Sequence, residues 1–167
     1  MLIRDEQEQD CAAVHAVNVA AFETSSEAKL VDALREQAEQ VVSLVADDNG
    51  AIVGHIMFSP VCLSRHPDLK VMGLAPMAVA PEHQRKGIGS ALVEAGLERC
   101  KQLGFVAVVV LGHPEYYPRF GFSPSRRFGI DSEYDVADEV FMAVELHPAA
   151  LDGKTGTVKY HAAFASL

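Results

Sequence analysis

PEHQRKGIGSALVE, from Pro81 to Glu94, sets Arg85 and Lys86 beside Gly87 and Gly89 and then continues in a helical pattern. The first turn of a helix presents unpaired backbone N–H groups and a partial positive charge. Glycine has no Cβ, so an anion can approach that backbone closely. In a chain of net charge −9, glycine and positive charge at one helix start point to a bound anion, and a phosphate cradle fits. The same glycines would also serve if they only let a helix pack close to a sheet.

Three phosphate-binding patterns compete for this stretch. A Walker loop requires G-x-x-x-x-G-K-[ST], but here Lys86 precedes Gly87 and Ser90 follows Gly89 with no lysine between. A dinucleotide fingerprint requires G-x-G-x-x-G; Gly87 and Gly89 match, and the third position is Leu92. What remains is Gln84-x-x-Gly87-x-Gly89.

Several elements must position this turn. VMGLAPMAVA, residues 71–80, reads as a strand interrupted by Pro76 and leads into it. The helix after it is predicted to reach about Leu103, with Ile88, Leu92, Ala95 and Arg99 on one side and Gly104 as its stop. FVAVVVLG, residues 105–112, is apolar on both faces, as a central strand is. Upstream, LIR at 2–4 reads as a strand. DCAAVHAVNVAAF reads as a helix with Asp10 as N-cap and Ala13, Val17 and Ala20 or Ala21 inward. A second helix, SSEAKLVDALREQ, has serines to cap it and a stripe of Leu30, Val31 and Leu34. VVSLVA and AIVGHIMF flank DDNG, where Asn49-Gly50 signals a hairpin. PEYYPRF reads as a helical turn, and EVFMAVEL and GTVKYHAAF as late strands. With no repeat or linker, this order predicts a single α/β (or α+β) sheet domain over residues 1–167.

Bulk chemistry excludes several classes. A net charge of −9 disfavours non-specific nucleic-acid binding and attachment to an anionic membrane. Cys11, Cys62 and Cys100 lie far apart, as expected of reduced, buried thiols in a cytosolic protein. The seven histidines show no H-E-x-x-H spacing, so no metal is expected. No signal-peptide pattern opens the chain, and its longest apolar run, at 105–112, is too short to span a bilayer. A soluble, intracellular protein is expected.

The segment MAVAPEHQRKGIGSALVEAGL resembles the acetyl-CoA-binding motif of the GCN5-related N-acetyltransferase (GNAT) family over its whole length. Downstream, YYPRFGF is similar to that family's Tyr-x-x-x-Gly-Phe element, with Tyr117 four residues before Gly121-Phe122. LGHPEYYPRFGF also resembles a subgroup of acetyltransferases of largely undefined substrate. The resemblance covers roughly residues 71–122.

It implies a mixed central sheet flanked by helices, with the strands at 72–80 and 105–112 splayed around a strand–helix–strand core. After Gln84, the backbone N–H groups of Arg85, Lys86, Gly87, Ile88, Gly89 and Ser90 would hold the CoA pyrophosphate. Backbone groups at Met77, Ala78 and Val79 would face pantetheine, one N–H polarising the thioester carbonyl. Tyr117 would protonate the departing thiolate, with Tyr116 as its substitute. The implied activity is acetyl transfer from acetyl-CoA to an amine on a small molecule or protein. Transfer of a longer acyl group or to a hydroxyl, and a non-catalytic acyl-CoA sensor, stay open, as does a homodimer.

The residues at 71–80 include no acid, where many relatives carry a glutamate base. Glu23, Glu27, His55 and Glu115 are candidate bases, beside a water chain. Arg119, Arg126 and Arg127 could meet a CoA phosphate or an acidic substrate; they also read as a solvated loop.

Overall fold

A computed structural model describes residues 1–166. The strands are β1 (Leu2–Asp5), β2 (Val42–Asp48), β3 (Ala51–Leu63), β4 (His66–Val79), β5 (Ala107–Leu111), β6 (Ser123–Pro124), β7 (Ile130–Ser132), β8 (Phe141–Glu145) and β9 (Gly156–Lys159). The helices are α1 (Cys11–Phe22), α2 (Ser26–Gln37) and α3 (Ile88–Gln102), joined by short 3-10 turns. The nine strands form one mixed sheet. The chain divides into two compact units: Met1–Ser59 with Ala75–Gly96 and the segment from Ala162, and Pro60–Leu74 with Leu97–His161.

In the first unit, β1, β2 and the start of β3 form an antiparallel ladder. Asn49 (φ 55°) and Gly50 (φ 94°) make the tight turn between β2 and β3. That is the backbone hand that twisted hairpins require. One face of β3 carries α3. Each partner uses a glycine to admit the other's bulk: Ile88 and Leu92 close on Gly54, and the Phe58 ring closes on Gly96, where a Cβ would lie 2.2 Å from it. This interlock fixes where α3 begins.

The opposite face carries α1, and here the expected stripe shifts. Val14, Val17 and Asn18 are buried, while Ala20 is exposed and Ala13 and Ala21 are half-buried. Asn18 tolerates the inner position because its Nδ2 donates to the Val14 carbonyl (3.0 Å) and meets His55 Nδ1 (3.2 Å). Asp10 does not cap α1 with its side chain; its carboxylate accepts from Arg4 (2.7 and 3.1 Å) and from the Gln7 N–H (2.7 Å). Neither serine caps α2. Thr24 Oγ1 accepts from Ser26 N–H (3.4 Å) and donates to Glu27 (3.1 Å). The expected inward residues of α2, Leu30, Val31 and Leu34, are buried.

In the second unit, β5 is the central strand, parallel to β4 and antiparallel to β8. The β4–β5 ladder runs from Val71–Ala107 to Leu74–Val110 and stops there, although β4 continues to Val79. Val61, Val109, Phe141, Leu151 and Val158 lie in this unit's core. β4 begins at His66, ahead of the predicted 71, because HPDLK pairs by backbone while staying mostly exposed. β6 and β7 are unpredicted short strands. Only the first part of GTVKYHAAF is a strand; the 3-10 turn Ala162–Ser166 replaces its end.

α3 stops where predicted. Gly104 (φ 89°) lets its own N–H reach Lys101 O (3.0 Å) and the Phe105 N–H reach Cys100 O (3.0 Å). This is a Schellman closure. Its buried line is Ile88, Leu92, Val93, Gly96 and Cys100, with Ala95 and Arg99 at the margin. Of the three thiols expected to be buried, Cys100 is, Cys11 is half-buried and Cys62 is exposed, because strand alternation turns it away from the buried Val61 and Leu63. The 3.6-residue period moves the stripe toward Val93 as the helix advances.

Candidate active site

The first candidate region is the turn between β4 and α3. Pro81–His83 form a 3-10 turn, and the Ala80 N–H donates to Val53 O (2.9 Å), tying the end of the strand to β3. The Gln84 side chain folds back and donates from Nε2 to Val79 O (3.1 Å). Arg85 (φ 64°) and Gly87 (φ 83°) both take the left-handed conformation, and Lys86 between them does not. Alternation of backbone hand is the local shape that turns successive N–H groups to one side in anion-binding nests. Glycine adopts that conformation freely; arginine does so at a cost of about 1–2 kcal/mol.

A Cβ built on Gly87 meets nothing within 4 Å, so there is open space over the backbone there. Arg85 and Lys86 are exposed, and neither is ion-paired among the described residues. Ile88 is buried and anchors the first turn of α3, while Gly89 and Ser90 are half-buried. On β4, Met77 and Val79 are half-buried and Ala78 is buried.

The second candidate region follows β5. The Gly112 N–H donates to Val140 O (2.9 Å), and the Tyr116 and Tyr117 N–H groups then turn back to His113 O (3.1 and 3.4 Å). Tyr117–Phe120 form a 3-10 turn that ends at Gly121 (φ 97°). Tyr117 is only 7% exposed. Its ring packs edge-on to Tyr116 (5.1 Å between centroids) and Phe122 (5.6 Å). Burial, reinforced by Tyr116, pushes its phenol pKa up to about 12. No described residue hydrogen-bonds its hydroxyl. Tyr116 is half-buried, and Arg119 covers its ring at 4.6 Å while donating from Nε to its carbonyl (3.0 Å).

The candidate bases part company. His55 is fully buried, and burial lowers its pKa to about 3. Nδ1 faces Asn18, and Nε2 lies 2.8 Å from Ser43 Oγ, which itself donates to Glu6 (2.9 Å). Arg35 grips Glu6 at 2.6 Å and Asp32 at 3.0 Å. The donors then run in one direction: Asn18 N–H to Nδ1, Nε2–H to Ser43, Ser43 O–H to Glu6. His55 is thus a neutral, satisfied member of a polar chain, not a base open to a substrate. Glu27 receives Thr24, and Glu23 is exposed at the left-handed end of α1. Glu115 is exposed and lines a cavity of about 510 Å³ with His113, Tyr116 and Arg119. Arg126 is paired with Asp138, and Arg127 lies over the Phe128 ring, so the second basic cluster is dispersed.

Sequence reasoning passed over Gly112, directly after a central strand and five residues before Tyr117. It also passed over Asn18, whose signal was a polar residue on an otherwise apolar helix face. Among the described residues, no group of three or more His, Cys, Asp or Glu is placed to hold a metal ion, and no helix is long and apolar enough to cross a membrane.

A mixed α/β sheet that delivers a strand into a glycine turn at a helix start is the arrangement the GNAT resemblance implies, and comparison with known proteins agrees. Residues 6–122 match the Acetyltransferase (GNAT) family. The uncharacterized N-acetyltransferase YhbS of Escherichia coli K12 is 38% identical over 165 residues, 98% of each chain. The crystal structure of Escherichia coli YhbS in complex with CoA matches with a TM-score of 0.93 at 36% identity, covering 98% of this chain and 91% of that one. A GNAT family acetyltransferase from Brucella melitensis in complex with acetyl-CoA matches with a TM-score of 0.81 at 36% identity, covering 98% and 97%. The chain therefore belongs to the GNAT family of N-acetyltransferases.

Proposed function

We propose that this protein transfers the acetyl group of acetyl-CoA to an amine, with residues 1–167 acting as one acetyltransferase domain. The observation that carries this reading is the nest at 85–87 opening α3, in a chain whose close structural relatives are complexed with CoA or acetyl-CoA. The residues present fit such a co-substrate. Open space over Gly87 and two cations, Arg85 and Lys86, with no ion pair among the described residues suit a pyrophosphate.

When bound, acetyl-CoA supplies an activated acyl group. The N–H groups of residues 85–90 would hold its pyrophosphate, and Gln84 would keep the turn folded against Val79. Met77, Ala78 and Val79 would present backbone to pantetheine, with one N–H at the thioester oxygen. The acceptor must lose a proton first, since an amine of pKa near 10.4 is only about 0.04% neutral at pH 7. Of the four candidate bases, His55 drops out, leaving Glu23, Glu27 and Glu115 beside a water chain.

Tyr117 would donate to the departing sulfur as the new N–C bond forms and the C–S bond breaks. Its phenol, at about 12, is protonated at any working pH. A thiol near 8.5 is the stronger acid, so full transfer to sulfur is uphill by about 3.5 pH units until the proton released by the amine restores the phenol. Tyr117 thus acts chiefly by hydrogen-bonding to the developing thiolate. The compartment proposed is the cytoplasm, where the thiols of Cys11, Cys62 and Cys100 stay reduced.

The test is a broad panel of primary amines with acetyl-CoA, read as free thiol released. Acetylation of one or more amines is expected. Tight CoA binding with no amine acetylated would replace the enzyme by an acyl-CoA sensor.

A further inference from the structure

We propose that Gly112 is the positioning residue for Tyr117, the missing side chain at 112 being the seat of its ring. This rests on reading Tyr117 as the proton donor. A Cβ built on Gly112 would lie 2.3 Å from Tyr117 Cε2, 2.9 Å from Cδ2 and 3.3 Å from Cζ. Real Cβ atoms do not approach that closely, so any other residue at 112 must displace either the backbone or the ring.

The backbone is held. The Gly112 N–H donates to Val140 O at 2.9 Å, and the preceding Leu111 is in register with Phe141 of β8. The ring must therefore yield. It cannot slide within its pocket, because Tyr116, Phe120 and Phe122 surround it, with ring centroids 5.1, 6.4 and 5.6 Å away. The clashing atoms are ring carbons in the middle of the side chain, not a flexible tip. Gly112 does not have a positive φ, so an alanine would suit its backbone and the requirement is one of space alone. Tyr117 owes its depth, and hence the raised pKa, to this close approach.

The experiment is a double-mutant cycle of Gly112→Ala and Tyr117→Ala, with tyrosine ionisation followed by ultraviolet absorbance. Gly112→Ala is expected to lower the melting temperature in the parent and to leave it nearly unchanged once Tyr117→Ala has removed the ring. In Gly112→Ala, one more tyrosine should titrate near the ordinary value, about 10, as the phenol meets water. On an amine accepted by the parent, Gly112→Ala should lower kcat at least about tenfold while acetyl-CoA affinity stays within about threefold. If Gly112→Ala alone does not fold, the double variant still should, with the stability of Tyr117→Ala. Equal losses of melting temperature in both backgrounds, or no additional tyrosine titrating near 10, would overturn the proposal. Should the cycle and the titration behave as expected while Tyr117→Phe turns over like the parent, the error lies in the acid assignment and the seat stands.

Discussion

The turn at residues 84–90 and the seat of Tyr117 solve opposite problems. The turn is open: Arg85, Lys86 and Gly87 are exposed, and the space over Gly87 is vacant. Its proposed chemistry is carried by main-chain N–H groups, and side chains matter there mostly by being small or positive. The seat is closed: Tyr117 is buried among three aromatic rings and against Gly112. Its proposed chemistry is carried by one side-chain hydroxyl whose environment fixes its protonation. An anion site can be built from local backbone shape. A tuned acid needs neighbours from distant parts of the chain.

The largest break in this contrast should come from Gly87→Glu. A carboxylate placed in the nest repels the pyrophosphate, and calorimetry should show acetyl-CoA affinity down by at least about a hundredfold, roughly 2.7 kcal/mol. The fold should survive, since a Cβ there meets no other atom, although φ 83° carries a strain of about 1–2 kcal/mol. Parent-like affinity in the folded variant would put the anion elsewhere.

Next in size is Tyr117→Phe, which removes the hydroxyl and keeps the ring in its seat. Turnover should fall at least about tenfold, with acetyl-CoA affinity within about threefold. Tyr116→Phe is the control expected to stay near the parent. The raised phenol pKa has a signed consequence for stability. An unfolded tyrosine titrates near 10 and the folded one at about 12. The phenol's contribution is whole below about pH 10 and is lost as pH rises through 12. Thermal melts of the parent should therefore weaken through that window more steeply than those of Tyr117→Phe. Parallel curves would mean a solvated ring.

His55 extends the closed side of the comparison, and its sign is reversed. The folded pKa of about 3 lies below the ordinary 6.5, so its stabilisation is whole above about pH 6.5 and is lost as pH falls toward 3. The loss amounts to a few kcal/mol. His55→Gln, which still offers an acceptor to Asn18 and a donor to Ser43, should flatten the acid limb of the melting curve. An unchanged limb would assign the acid sensitivity to carboxylates such as Asp10, held below the usual range chiefly by Arg4.

The smallest effect separates charge from backbone within the turn. Arg85→Gly relieves the left-handed strain but raises the flexibility of the unfolded chain, so the melting temperature should move by no more than a few degrees. Acetyl-CoA affinity should fall by less than about tenfold and become less sensitive to salt. A larger loss would mean that the arginine side chain, rather than the N–H nest, holds the anion.

Much of the fold was legible because its signals are local. Asn49-Gly50 marked a turn through backbone hand, Gly104 marked the end of α3, and the run at 105–112 marked a central strand. β6, β7 and the first part of β4 were not legible. Ser123–Pro124 and Ile130–Ser132 are too short for a period, and HPDLK is held by main-chain pairing that its polar side chains do not announce. The inner face of α1 was misplaced by the same logic: the amide of Asn18 is satisfied inside by the Val14 carbonyl and by His55, 37 residues away.

By itself the sequence determined the family, the order of the main elements, and the turn at Gln84–Ser90, since glycine spacing and positive charge act where they stand in the chain. Only the tertiary structure decided the states of individual side chains. It removed His55 from the candidate bases by burying it, tied Arg126 to Asp138, and pressed the Tyr117 ring onto Gly112 until its phenol ceased to behave like one in water. The physical reason is desolvation: the ionisation of a group depends on what surrounds it, and those surroundings come from strands and turns far apart in sequence.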